Sequence, residues 1–218
     1  MADFQTQDSL SVKELAAQVW ARISPQQRTQ KNKVAITPES IVQRLKAGNK
    51  RYMTANTPGG NISSKIRLKT SEQGQHPYAV VITCSDSRVI PEAIFSTGIG
   101  ELFVIRVAGN VMGDMTLGSV IYAVEHLKSK LVIVLGHTQC GAVASTIEGG
   151  ATGYVKSLTD EVELAIGNER NAYIASCLNV KRSMTKAHEA LQEENLDVKV
   201  AGALYDIADG HVEWLDMV

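Results

Sequence analysis

The central part of the chain contains three short, nearly continuous apolar runs, at residues 78–83, 102–107 and 131–135. Runs of this length are typical of strands that are buried on both faces of a sheet. Between the second and third runs, apolar residues recur at helical spacing over about 116–127, which predicts a helix. Because the predicted strands alternate with helices, the pattern indicates a mostly parallel α/β sheet.

The amino-terminal region carries a separate amphipathic pattern. Apolar residues recur at helical spacing over 12–23. Ser11 and Glu14 form a capping box at the start of this predicted helix. A polar stretch follows this predicted helix. We therefore expect residues 1–35 to form an N-terminal helical arm, packed on a neighbouring subunit or on its own core, and residues 36–218 to form one α/β domain.

A second helix is predicted to begin at Thr37 and Pro38, because threonine is a favourable N-cap and proline suits the first helical position. The last apolar residue of its helical pattern is Leu45, shortly before Gly48. The segment 55–64 contains proline and two glycines and is expected to be an exposed, mobile loop.

The carboxyl-terminal third is predicted to be mostly helical over 158–196 and ends in two β-rich runs, 198–205 and 212–215. An Asp209-Gly210 pair between these runs favours a hairpin turn. The predicted fold class is thus α/β, with a central mostly parallel β-sheet flanked by helices, the N-terminal helical arm and a C-terminal hairpin extension.

Composition excludes several classes of protein. The chain has 218 residues, with 22 Lys+Arg against 23 Asp+Glu, so it lacks the basic surface expected for binding nucleic acid or an anionic membrane. No stretch reaches the roughly 18–20 apolar residues of a membrane span, and the first residues lack the pattern of a secretory signal. We expect a cytoplasmic location, or a periplasm or organelle if a native leader has been removed.

The cysteine count points to metal binding or free thiols. Three cysteines cannot form a disulfide framework. Cys84 directly follows the first predicted strand, and His137 and Cys140 follow the third. Because the carboxyl ends of parallel strands meet at one edge of a sheet, these three side chains can converge. Two thiolates and an imidazole suit zinc, and three protein ligands leave the open position of a catalytic zinc site.

Asp86 has two alternative roles beside this predicted site. Its carboxylate could bind zinc as a fourth ligand, or it could pair with the guanidinium of Arg88 and accept a hydrogen bond from zinc-bound water. The third cysteine, Cys177, lies in a predicted helix without potential ligand partners nearby in sequence. We expect it to be a buried structural thiol.

Three segments, CSDSRV at 84–89, GELFVIRVAGN at 100–110 and GHTQCGAV at 136–143, resemble motifs of the β-class carbonic anhydrases. The resemblance implies one Zn²⁺ per subunit, held by Cys84, His137 and Cys140, with Asp86 and Arg88 as the catalytic dyad. It implies that the substrate is bound by Gln75, Phe103, Tyr122 and Gly141. A regulated subgroup of this family carries tryptophan where this chain has Val81. We therefore expect Asp86 to pair with Arg88 at neutral pH.

The implied activity is the reversible hydration of carbon dioxide to bicarbonate and a proton, a zinc lyase reaction in which zinc-bound hydroxide attacks carbon. The resemblance also implies a homodimer or dimer of dimers whose active site draws residues from both subunits, with no nucleic-acid or membrane partner. Two alternatives remain open. The same scaffold could hydrolyse carbonyl sulfide or carbon disulfide, or the chain could be a catalytically silent zinc scaffold subunit.

Overall fold

A computed structural model describes residues 36–54 and 59–218, so the predicted N-terminal arm lies outside the described residues. The helices are α1 (Pro38–Thr54), α2 (Ser64–Gln73), α3 (Pro91–Ile94), α4 (Asp114–Glu125), α5 (Gly141–Glu148), α6 (Gly153–Ile166) and α7 (Ala172–Glu193). The strands are β1 (Ala79–Thr83), β2 (Leu102–Arg106), β3 (Leu131–His137), β4 (Lys199–Tyr205) and β5 (Val212–Met217), with a 3-10 turn at Ala108–Asn110. Within the described ranges, no helix has the length and apolar content needed to cross a bilayer.

The strands form one sheet in the order β2-β1-β3-β4-β5. The pairs β1–β2, β1–β3 and β3–β4 are parallel, whereas β5 runs antiparallel to β4. The antiparallel pair is the hairpin that the Asp209-Gly210 turn predicted. The structure therefore confirms the predicted mostly parallel α/β sheet with a C-terminal hairpin.

Helices cover both faces of the sheet, which explains why its central strands are continuous apolar runs. Every residue of β1 and β3 is buried. Alternate residues of these strands point to opposite faces. On one face, Val81 and Ile133 belong to a core that includes α1, and on the other, Val80 and Val132 belong to a core that includes α4 and α7.

Helix α1 continues beyond Gly48, so the apolar pattern that stopped at Leu45 underestimated its length. Gly48 is buried, and a Cβ at this position would lie 1.9 Å from the carbonyl oxygen of Phe95. The neighbouring Asn49 donates to Gly210 O at 2.8 Å and accepts from Val212 N at 3.0 Å. Gly48 is therefore required for close packing and does not end the helix.

Helix α2 was not predicted, and its sequence explains why. None of its residues is buried, so it carries no apolar periodicity. Its start is defined by Ser63, whose side chain accepts a hydrogen bond from the Ile66 N–H at 3.4 Å. Of the predicted loop over 55–64, residues 55–58 lie outside the described residues, and Ser64 is already helical.

Candidate active site

Two adjacent strands deliver three potential metal ligands to the carboxyl edge of the sheet. Cys84 directly follows β1, His137 is the last residue of β3, and Cys140 is the N-cap of α5. All three are buried, and their ligand atoms lie within 4.8 Å of one another. The structure thus brings together the three residues that the sequence singled out. We call Cys84, His137 and Cys140 the metal group.

The imidazole of His137 is oriented as a metal ligand requires. Its Nδ1 lies 2.8 Å from the carbonyl oxygen of Thr138, so Nδ1 carries the proton and donates it. Its Nε2 is buried and has no hydrogen-bond partner among the described residues. An unpaired buried polar atom costs about 1–3 kcal/mol. A metal ion at Nε2 would remove that cost, and a ring N–H bonded to a backbone carbonyl is the usual support of a metal-binding histidine.

The pKa values of the two thiols of the metal group are shifted in opposite directions. The hydrogen bond between them lowers the pKa of Cys84 well below its ordinary value and raises the pKa of Cys140. The Gly109 N–H also donates to Cys84 Sγ, at 3.3 Å. Cysteine binds metal as the thiolate, so this site already favours the binding form of one ligand. Two sulfurs and an imidazole nitrogen in one buried group fit Zn²⁺.

Asp86 is paired with Arg88 through both carboxylate oxygens. Arg88 Nε lies 3.0 Å from Oδ1 and Nη2 lies 2.7 Å from Oδ2, and the Arg88 backbone N–H donates to Oδ1 at 2.9 Å. The side-chain hydrogen bonds from Arg88 hold the pKa of Asp86 well below its usual range. Arg88 Nη2 also contacts the carbonyl oxygen of Gln139 at 3.3 Å, which connects the loops that carry the two cysteines of the metal group.

Sequence reasoning missed Arg106, the last residue of β2. Its Nη2 donates to the carbonyl oxygen of Asp86 at 2.6 Å, and its Nε donates to that of Cys84 at 3.3 Å. Arg106 therefore holds the backbone between Cys84 and Asp86. The signal available in the sequence was an arginine at the end of a strand adjacent to β1.

Three of the residues expected to bind substrate lie toward the amino end of the sheet, at the opposite end from the metal group. Gln75 is exposed and precedes β1 at its amino end. Phe103 pairs in register with Val80, near the start of β1, and its ring centroid lies 6.1 Å from that of Tyr122 on α4. Within one chain, the structure does not bring these three side chains to the metal group, which follows the carboxyl end of β1.

Gly141 is the fourth residue that was expected to bind substrate. Gly141 is the first residue of α5, next to Cys140, and open space surrounds it where a side chain would be. Its backbone therefore adjoins the metal group.

Cys177 lies on α7 and is only partly buried, so the expectation of a buried thiol was wrong. It is not part of the metal group.

Comparisons with known proteins agree with this geometry. The family model described as carbonic anhydrase matches residues 79–212. The chain is 34% identical over 193 residues to a carbonic anhydrase of Mycolicibacterium smegmatis, spanning 81% of this chain and 92% of that protein. It is 39% identical over 132 residues to carbonic anhydrase 2 of Mycobacterium tuberculosis, spanning 57% of this chain and 62% of that protein.

A solved structure, one of two tetrameric β-carbonic anhydrases from the filamentous ascomycete Sordaria macrospora, superposes with a TM-score of 0.62 at 25% identity. The match covers 71% of this chain and 89% of that chain. The shared fold thus extends well beyond the residues that carry the motifs. This chain therefore belongs to the carbonic anhydrase family, in its β class.

Proposed function

We propose that the chain catalyses the reversible hydration of carbon dioxide to bicarbonate and a proton, with one zinc ion per subunit. The observation that carries the proposal is the buried metal group beside a carboxylate that is paired with an arginine. Membership of the family supports the reaction. The donor set and the unpaired Nε2 of His137 support the metal.

The metal group would hold zinc through Cys84 Sγ, His137 Nε2 and Cys140 Sγ. A zinc ion held there would supply Lewis acidity that lowers the pKa of water toward neutral pH. The protein contributes burial around this group, because all three ligands are shielded from solvent. Carbon dioxide is neutral, and the near-zero net charge of −1 is consistent with a substrate that needs no electrostatic steering.

Asp86 accepts a hydrogen bond from the attacking water and thereby directs its lone pair toward the substrate carbon. The pKa of Asp86 is held well below its usual range by Arg88, so the carboxylate stays ionised at neutral pH. It therefore orients the nucleophile but does not retain the proton, which must leave to solvent or buffer. Arg88 fixes the carboxylate, and Arg106 fixes the loop that carries it.

Gln75, Phe103 and Tyr122 would complete the substrate pocket of a second copy of the chain. Each is exposed or only partly buried, and they lie toward the amino end of the sheet, away from the metal group of their own chain. The Sordaria macrospora relatives are tetrameric. A homodimer, or a dimer of dimers, is therefore the expected active form.

Subunit complementation tests this arrangement. The variants Cys84→Ser and Gln75→Leu are each expected to be inactive alone. Mixing them under conditions of subunit exchange should restore activity, because one site in each mixed dimer has an intact metal group and an intact partner glutamine. Failure to restore activity in proven mixed dimers would contradict the shared site.

The function itself is tested by stopped-flow hydration of carbon dioxide together with zinc analysis. Cys84→Ser should lose both zinc and activity, whereas Asp86→Asn should keep zinc and lose activity by about 100-fold or more. Cys177→Ser, the matched control, should change neither. Equal hydration rates for the wild type and Cys84→Ser would instead indicate a silent scaffold. Faster release of hydrogen sulfide from carbonyl sulfide or carbon disulfide than hydration of carbon dioxide would indicate a sulfur substrate.

A further inference from the structure

The thiol of Cys84 is contacted by a backbone amide that is held in an unusual conformation. Gly109 donates its N–H to Cys84 Sγ at 3.3 Å from the 3-10 turn that follows β2. Its φ of +70° favours glycine, and a Cβ here would lie 3.0 Å from the Cβ of Ala142 on α5. The amide can reach the sulfur only while the turn keeps this conformation.

Helix α7 holds the same turn from the other side. Asn179 Nδ2 donates to Gly109 O at 2.7 Å, and Ser183 Oγ donates to Asn110 O at 3.0 Å. The two side chains are one helical turn apart on one face of α7, and they are only 2% and 3% exposed. Asparagine and serine are not favoured inside a helix, so their burial here is explained by these two contacts.

We propose that Asn179 and Ser183 are positioning residues for Cys84, because they fix the turn whose Gly109 amide is hydrogen-bonded to the ligand sulfur. The inference rests on the proposed zinc site. It assigns a metal-tuning role to a helix that contributes no ligand itself. Loss of an outer hydrogen bond to a metal ligand typically weakens metal affinity by about 10–100-fold. A purely structural role would lower stability and leave the metal unaffected.

The test uses the zinc-loaded and the cobalt-substituted full chain. Zinc affinity is measured by competition with a chelator, and the thiolate-to-cobalt charge-transfer band reports on the sulfur ligands. Asn179→Leu should weaken zinc affinity by about 10–100-fold and shift the band, and Ser183→Ala should act in the same direction with a smaller effect. Ser176→Ala is the matched control, because the hydroxyl of this buried serine donates to Ala172 O of its own helix, at 2.8 Å. It should leave both readouts unchanged.

A second control separates positioning from stability. Leu191→Ala removes a fully buried side chain near the far end of α7 and should destabilise the protein with zinc affinity and the band unchanged. Wild-type affinity and band in a folded Asn179→Leu variant would overturn the inference. If Asn179→Leu does not fold, Ser183→Ala decides by the same two readouts. A wild-type protein with no thiolate-to-cobalt band would instead refute the proposed zinc site.

Discussion

The guanidinium of Arg88 spans both carboxylate oxygens of Asp86, with Nε 3.0 Å from Oδ1 and Nη2 2.7 Å from Oδ2. A lysine would supply one charged group and could not fix the plane of the carboxylate. We expect Arg88→Lys to lower kcat/KM by about 100-fold while zinc content stays at one ion per chain. Stopped-flow hydration and metal analysis check this. Arg170→Lys, at an exposed arginine that bonds the backbone of Gly167, should behave as wild type. Full activity of Arg88→Lys would contradict the orienting role.

Arg106 is a second arginine that holds the segment carrying Asp86. It bonds the carbonyl oxygens of Asp86 and Cys84, so its loss frees the loop between them. Arg106→Met, which keeps most of the aliphatic stem, should reduce kcat/KM by about tenfold or more through misplacement of Asp86. The control is Arg67→Met, because Arg67 also donates to a backbone carbonyl, that of Ile62, but within the described residues has no hydrogen bond to Cys84 or Asp86. Equal activity of the two variants would refute the role of Arg106.

Tyr78 should make the protein sensitive to alkaline pH. Burial raises the pKa of its hydroxyl to about 12 from the ordinary value of 10, and this hydroxyl has no hydrogen-bond partner among the described residues. The unfolded chain releases this proton at a lower pH than the folded chain. The resulting stability is therefore fully present below pH 10 and is lost as pH rises toward 12, by about 2 kcal/mol.

Urea unfolding at a series of pH values tests this effect. Tyr78→Phe has no hydroxyl to titrate, so its unfolding free energy should fall less steeply than that of the wild type between pH 10 and 12. At neutral pH the variant should be as stable as the wild type or slightly more stable, because an unpaired buried hydroxyl is removed. Tyr154→Phe, at a residue that is 97% exposed, should keep the wild-type slope. An unchanged slope in Tyr78→Phe would rule out this residue as the source.

Two helical glycines should respond in opposite ways to the same substitution. Gly48→Ala places a methyl group 1.9 Å from the backbone oxygen of Phe95, so we expect a loss of about 3 kcal/mol in unfolding free energy. Gly118→Ala on α4 meets no atom within 4 Å and should gain up to about 1 kcal/mol through helix propensity. Urea or thermal unfolding of both variants provides the comparison. A stable Gly48→Ala variant would show that α1 can move away from α3.

Much of the fold could be predicted because its signals are local. The apolar runs that became β1 and β3 are continuous because both faces of these strands are covered. Once these strands are parallel, Cys84 and His137 must meet at one edge of the sheet. Helix α2 escaped prediction for the converse reason, since it buries no residue and so has no apolar pattern.

The apolar runs and the spacing of the cysteines and histidine predicted the mostly parallel sheet, its C-terminal hairpin and the grouping of Cys84, His137 and Cys140. The contacts that support this group are seen only in the folded chain. Asp86 had two potential partners, and in the fold its carboxylate is paired with Arg88. The contact of Asn179 with Gly109 joins residues 70 positions apart. Such bonds from a side chain to a distant backbone leave no periodic trace in the chain, because they depend on how separate elements pack and not on the spacing of neighbouring residues.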